Sequence, residues 1–291
     1  GVGKSFLTHA LAAAISNGRP LPLQDARPPA DALLLTTEDA IAHTIKPRLE
    51  GLGANMERIH VYDESLPLDD QGVENLENLV KALRAQLVII DPITAFLPVK
   101  MDINRANEVR SVLSSLSRLA DRRRCAIVII RHLTKSKASK AIYQGLGSID
   151  FSAACRSVLL AGNDPDNEQH RALVQTKNNL GPIAEATGYR IDRSGNFRWT
   201  GPSPLTAQRI LAAERDETAL SAAQEFVITS LANGPKTANE IMDAAKRAGH
   251  STATVKRAKT QAGVISNKNG YQGASYWALP EDQIKEDHTQ K

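Results

Sequence analysis

The chain begins Gly1-Val2-Gly3-Lys4-Ser5, and no other stretch narrows the possible folds as far. Gly-Lys-Ser is the second half of the pattern G-x-x-x-x-G-K-[S/T], a loop between a strand and a helix whose backbone amides cradle phosphates. Its lysine reaches the β- and γ-phosphates, and its serine or threonine hydroxyl binds Mg²⁺. The first glycine of the pattern, and the strand leading into it, would lie upstream of Gly1, so the sequence reads as a piece of a longer protein. On this pattern Gly1, Val2, Gly3, Lys4, Ser5 and Phe6 are candidate nucleotide-binding residues, and Ser5 is a candidate Mg²⁺ ligand. The loop requires a helix directly after it, because a helix N-terminus is what faces the phosphates. Residues 5–19 supply one: Phe6, Leu7, Ala10, Leu11, Ala14 and Ile15 recur at helical spacing, and Asn17-Gly18-Arg19-Pro20 ends it.

Strand and helix patterns then alternate. Ala32-Leu33-Leu34-Leu35-Thr36, Ile59-His60-Val61-Tyr62, Leu87-Val88-Ile89-Ile90 and residues 125–130 read as strands. Residues 39–52, 72–85 and 104–122 read as helices between them. Continuous apolar strands separated by helices predict a parallel sheet covered on both faces. From residue 156 the rhythm changes. Residues 156–161, 171–176, 188–191 and 196–200 are strands with short turns between them, expected as antiparallel additions at the sheet edge. Gly201-Pro202-Ser203-Pro204 marks a linker. The predicted organisation is a domain over 1–202, a linker helix over 203–219, a small module over 220–280 and a disordered polar tail over 281–291.

The small module reads as three short helices and a hairpin, a winged-helix pattern. Its second helix opens on the capping box Thr237-Ala238-Asn239-Glu240, and its third is capped by Ser251 or Thr252. Charge is concentrated here. Of the chain's net +4, residues 220–280 account for all of it, leaving the remainder neutral. The third helix carries Lys256, Arg257 and Lys259; Thr252, Thr254 and Lys256 suit the major groove of duplex DNA while Val255 packs inward, with Lys268 and Asn269 of the wing at phosphates. A solvated surface, or a protein-binding winged helix with Tyr271, Tyr276 and Trp277 merely packing the wing, is the competing reading.

With 42% hydrophobic and 23% charged residues the 291-residue chain is ordinary globular material. No apolar run approaches the roughly 18 residues of a membrane helix. The two cysteines, Cys125 and Cys155, sit in apolar runs and read as buried free thiols of a reducing, cytoplasmic setting. The seven histidines show no metal-ligand spacing.

Three strand ends carry candidate chemistry. Leu87 to Ile90 end in Asp91, placed as a phosphate-loop sheet places its magnesium acid; an ordinary buried strand with a solvent-facing Asp is the alternative. Thr36-Thr37-Glu38-Asp39 follows the earlier strand, where open α/β sheets face their ligand crevice. Glu38 is suited to polarise an attacking water, or else to favour a helix N-terminus, a task that suits Asp39 better. Ile129-Ile130-Arg131-His132 ends a third strand, and His132 is the candidate sensor of the terminal phosphate. The Lys-, Ser- and Gly-rich residues 136–147 form either a DNA-touching loop or a plain surface loop.

The ordered set Gly-Lys-Ser, Thr-Glu-Asp, Ile-Ile-Asp, Arg-His-Leu-Thr-Lys, Gly-Ser-Ile-Asp-Phe-Ser-Ala-Ala-Cys-Arg-Ser-Val and Thr-Lys-Asn-Asn-Leu-Gly-Pro covers residues 1 to about 200. It resembles the RecA-type ATPases of the plasmid RepA helicase group, a group close to the replicative DnaB helicases and to RadA. The resemblance implies an α/β fold: a RecA-like P-loop core with a mainly parallel sheet and antiparallel edge strands, joined to the winged helix. It implies ATP and Mg²⁺ at subunit interfaces of a homo-oligomeric ring, usually a hexamer, with single-stranded DNA in the channel. Carried over by position, Lys4 and Ser5 are the P-loop pair, Glu38 the catalytic glutamate, Asp91 the Walker B acid and His132 the sensor histidine. Arg156 matches the arginine finger given to the neighbouring subunit, although a strand-initiating arginine is also a common structural ion-pair residue. Lys177 resembles the lysine of RadA's Lys-Asn-Arg-Phe-Gly motif, which implies a nucleotide-binding residue that, with Arg156, completes the site of the neighbouring subunit. Asn179 stands where that motif has arginine, so a cationic role does not carry over there. The implied function is a helicase-like ATPase of a phage or mobile element. The alternatives are a RadA-like recombination ATPase and a DNA-binding regulator on an ATP-gated scaffold.

Overall fold

The computed structural model describes residues 2–99, 101, 105–131, 149–192, 194–268 and 275–280. Gly1, His132, Asn269, Tyr271, the 136–147 loop and the 281–291 tail lie outside the described residues. The chain divides into two compact units, Gly1–Ile210 and Leu211–Lys291.

The first unit is built on four parallel strands in the order β2–β1–β3–β4: β1 is Ala32–Thr36, β2 Ile59–Tyr62, β3 Leu87–Asp91 and β4 Ala126–Ile129. All five residues of β1 and all five of β3 are buried. The reason is visible in their alternation. Leu33, Leu35, Val88 and Ile90 point to one face, where they pack with Leu76 and Val80 of α3 (Asp70–Leu83) and Leu113 and Leu116 of α4 (Ala106–Arg123). Leu34, Leu87 and Ile89 point to the other, against Ala12 of α1 (Lys4–Ser16) and Leu49 of α2 (Lys46–Gly51). Two covered faces require apolar side chains at every position, which is why these strands read as continuous rather than alternating runs.

Helix ends obey local chemistry. α1 stops at Asn17 and Gly18, and the Arg19 guanidinium donates to the carbonyls of Ala13, Leu52 and Gly53, closing the ends of α1 and α2 together. The helix expected over 39–52 is not uniform. Ile41–Ile45 form a wider π-type turn before α2. Pro47 lies at the start of α2 and has no amide to donate to the preceding turn, so the ladder opens there.

The antiparallel strands form a second sheet in the order β5–β6–β7–β8, with β5 Ser157–Asp164, β6 Asn167–Asn178, β7 Thr187–Ile191 and β8 Phe197–Pro202. Among the described residues it shares no ladder with the parallel sheet. The long β5–β6 hairpin satisfies its own backbone groups instead of adding to the parallel edge. A short helix, α5 (Ile149–Ala154), leads into it. β8 continues through Gly201 and Pro202, into the expected linker.

The predicted linker helix and first module helix are one: α6 runs unbroken over Ala207–Leu231, and the boundary between the units falls inside it. Nothing in 207–231 is Gly or Pro, so no residue interrupts the ladder. The second unit continues with β9 (Lys236–Thr237), α7 (Ala238–Arg247), α8 (Thr252–Gln261), β10 (Ile265–Lys268) and β11 (Ser275–Ala278), the strands pairing in the order β10–β11–β9. Thr237 and Glu240 form the reciprocal capping box on α7, and Ser251 caps α8. Val227, Leu231, Ile241, Ala245, Val255, Val264 and Trp277 make its core.

Candidate active site

Three separate elements bring their ends to one cleft. Ser5, His9, Thr36, Glu38, Asp39 and Asp91 line it, over a floor of Leu34, Leu35 and Ile89. Ser5 comes from the first turn of α1. Thr36 and Asp91 are direct partners at the last register position of β1 and β3, so the parallel pairing alone sets Asp91 beside the chain that leads to Glu38. Asp91 is buried and Glu38 exposed. Lys4, expected to converge with Glu38 and Asp91, opens α1 immediately before Ser5 and is not itself among the cleft-lining residues.

The N-terminus of α1 is built for an anion. Gly3 precedes it in the left-handed region at φ 77°, no side chain caps it, and its first turn holds no acid. The helix therefore supplies no carboxylate of its own to its first amides, and its dipole favours negative charge there. A Cβ on Gly3 would press on the movable end of Ile191, so it is the left-handed φ that favours glycine here. The Ser5 hydroxyl and Asp91 carboxylate are the hard oxygen donors that Mg²⁺ takes beside phosphates and water. The residues present thus fit both phosphates and Mg²⁺. Among the described residues no group of three or more His, Cys, Asp or Glu side chains could hold a metal by itself.

Two features of this site are silent in the sequence. His9 lies one turn beyond Ser5 on α1 and is 5% exposed. Burial, helped by the Arg48 charge and opposed by Asp39, lowers its pKa to about 4, and its Nδ1 has no hydrogen-bond partner among the described residues. The helical spacing from Ser5 is the one signal that could have found it. Beside it, the Arg48 guanidinium donates to Asp39 at 2.7 Å and lies 4.6 Å from the centre of the Phe6 ring. Phe6 thus supports the Asp39–Arg48 pair, and its ring is not part of the cleft lining. Val2 accepts a hydrogen bond through its carbonyl from the Tyr189 hydroxyl, a partner no local pattern points to.

The remaining sequence candidates lie elsewhere. Arg156 is exposed and not in the cleft lining; its Nη2 donates to both carboxylate oxygens of Asp121 at 3.1 and 2.8 Å. Lys177 donates to the carbonyls of Ser152, Ala153 and Cys155. In the second unit Lys256 and Arg257 are exposed on α8 while Val255 is buried. Lys259 instead folds over the Trp277 ring, 5.0 Å from its centre. Cys125 and Cys155 are both free, and burial pushes both thiols up. No described helix is long and apolar enough to cross a membrane.

A glycine-lysine-serine loop opening a helix, over a doubly covered parallel sheet with an acid at the end of an inner strand, is the arrangement of a P-loop nucleotide-binding fold. The comparisons with known proteins agree. Residues 1–138 match the family described as an AAA domain. A solved ATPase domain superposes with a TM-score of 0.51 at 12% identity, over 67% of this chain and 80% of that domain. A DnaB-like replicative helicase, solved for its interactions with primase, gives the same TM-score and identity over 67% of this chain and 54% of its own. The DNA repair protein RadA of Haemophilus influenzae is 24% identical over 180 residues. That match takes in 61% of this chain but only 36% of RadA's length. The chain thus shares its fold with the ATPase domains of DnaB-like helicases.

Proposed function

We propose that this chain is an ATP-hydrolysing motor that works on DNA in the manner of a replicative helicase. The observation that carries the reading is the meeting of Ser5, Glu38 and Asp91 in one cleft at the mouth of the α1 N-terminus. Lys4 and the first amides of α1 bind the phosphates of ATP. Ser5 and Asp91 hold Mg²⁺, which when bound neutralises charge on the transferred phosphoryl group. Glu38 orients the attacking water and accepts its proton. His132, which follows β4 in the chain, senses the terminal phosphate. Arg156 of one subunit completes the site of the next in a ring, a hexamer by resemblance, because charge developing in the transition state needs a cation besides Lys4. Single-stranded DNA occupies the channel of that ring. The second unit is a winged helix, with the exposed Lys256 and Arg257 of α8 toward duplex phosphates or groove.

The test is ATP turnover with and without single-stranded DNA, in the native protein and in Glu38→Gln. The native protein is expected to hydrolyse faster with DNA. The variant is expected to bind ATP normally and turn over about 10²- to 10³-fold more slowly. Normal turnover in Glu38→Gln would remove that residue from the chemistry.

A second reading, a RadA-like recombination ATPase, is favoured by the RadA similarity and by Lys177-Asn178-Asn179-Leu180-Gly181. Strand displacement separates the two: a helicase opens a forked duplex processively, and a recombination ATPase does not.

A further inference from the structure

We infer that Lys177 is a positioning residue that sets the backbone of Arg156, while Asp121 parks the Arg156 guanidinium until a neighbouring subunit takes it. This inference rests on the proposed reading of Arg156 as the arginine supplied across a subunit interface.

An ammonium has three donors and no acceptor. Lys177 Nζ makes three hydrogen bonds, to the carbonyls of Ser152 at 2.8 Å, Ala153 at 2.9 Å and Cys155 at 2.7 Å. The first two lie in the last turn of α5 and the third on the residue after it, at the helix end where carbonyls run short of intrahelical donors. A cation at a helix C-terminus also meets the negative end of the dipole. Lys177 is therefore fully engaged inside its own subunit. Reaching a nucleotide across an interface would break all three of these bonds at once.

The residue that follows this cap is Arg156. α5 is anchored beforehand by Phe151, buried in the main core beneath the Arg131 guanidinium, 4.5 Å from its ring centre. The Arg156 carbonyl itself accepts from the Asn179 amide at 2.8 Å. The Arg156 backbone is thus held from α5 on one side and from the end of β6 on the other. Only its side chain has freedom.

That side chain lies on Asp121, near the end of α4, with both groups more than half exposed: 55% for Arg156 and 59% for Asp121. An exposed pair of this kind shifts an equilibrium by no more than about fivefold. A terminal phosphate carries more charge and can take two guanidinium nitrogens where Asp121 accepts from Nη2 alone, so it outcompetes the carboxylate. The pair is strong enough to hold an idle arginine off other anions and weak enough to release it on assembly.

The test uses the full-length assembled protein and four variants, reading kcat, KM and equilibrium ATP affinity. Arg156→Ala and Lys177→Met are each expected to lower kcat by about tenfold or more with ATP affinity unchanged within about twofold, as for groups felt only in the transition state. Lys177→Arg, which can still donate to carbonyls, is expected to recover most of the loss. Asp121→Asn is expected to raise turnover about two- to fivefold at protein concentrations where assembly is incomplete. If Arg156→Ala is inactive but Lys177→Met turns over normally, the inference fails and the wider reading of Arg156 stands. Loss of ATP affinity by more than about tenfold in Lys177→Met marks a direct ligand and overturns it too. Normal turnover in Arg156→Ala overturns both. Should Lys177→Met not fold, Asp121→Asn decides alone: turnover at or below the native level rejects the parking contact.

Discussion

The Tyr189 hydroxyl donates a 2.8 Å hydrogen bond to the Val2 carbonyl, joining residues 187 positions apart in the chain. Tyr189 is wholly buried, stacked on Phe197 at 5.5 Å and edge-on to Trp199 at 6.2 Å between ring centres. Burial raises its pKa to about 12, so the phenol keeps its proton and remains a donor. The second sheet therefore props the start of the phosphate loop.

Tyr189→Phe keeps the ring and its stacking and deletes only this bond. Leaving the Val2 carbonyl without its partner is expected to cost about 1–3 kcal/mol of stability and to weaken ATP binding severalfold. Thermal melts and nucleotide titration measure the two effects. An unchanged ATP affinity would show that the second sheet does not brace the loop.

His9 makes stability fall in acid. It is kept neutral when folded, with its pKa lowered to about 4 from 6.5 by burial first, then by Arg48, against the raising effect of Asp39. Between those values the unfolded chain binds the extra proton, so stability is complete above pH 6.5 and declines as pH falls toward 4. The full effect is about 3 kcal/mol. His9→Leu, compared with the native protein by denaturant melts between pH 4 and 7, is expected to flatten this slope. An equally steep decline in the variant would assign the acid sensitivity elsewhere.

Gly72 sits in the first turn of α3, where helix propensity alone predicts that Ala would stabilise by about 1 kcal/mol. A Cβ there would lie 1.7 Å from the Pro67 carbonyl oxygen, and backbone cannot give way as a flexible side chain can. The clash wins, and Gly72→Ala is expected to destabilise by about 3 kcal/mol. A variant that melts higher than the native protein would show that residues 67–72 can yield.

Lys256 and Arg257 are exposed on α8, while Lys259 is occupied with Trp277 and Ser266. If the second unit binds duplex DNA as proposed, reversing Lys256 and Arg257 to Glu lowers duplex affinity at least about tenfold and reduces the salt dependence by about two counterions; unchanged duplex affinity would reject that role. Lys259→Gln is expected to act mainly on stability. Equal loss of DNA binding from Lys259→Gln would put all three cations on the DNA face.

The parallel core and the trio Ser5, Glu38 and Asp91 were legible in the sequence. Each rests on a short-range signal: apolar runs of strand length, helical spacing between them, and polar residues directly after a strand. Parallel strands bring such residues to one edge by construction, as the Thr36–Asp91 register shows. The unbroken α6 and the separate second sheet were less so, because Gly-Pro punctuation and strand rhythm do not say which strand pairs with which.

Which strand faces are buried, roughly where the core strands and helices lie, and that a Gly-Lys-Ser loop opens the first helix all follow from short-range pattern along the chain. Tertiary structure alone decided that Arg156 meets Asp121, that Lys177 caps α5, that Tyr189 holds Val2 and that His9 is sealed beside Asp39 and Arg48. The physical reason is range. Periodicity and capping act within a few residues, whereas hydrogen bonds and ion pairs between distant segments depend on how whole layers pack, and no pattern along the chain encodes that meeting.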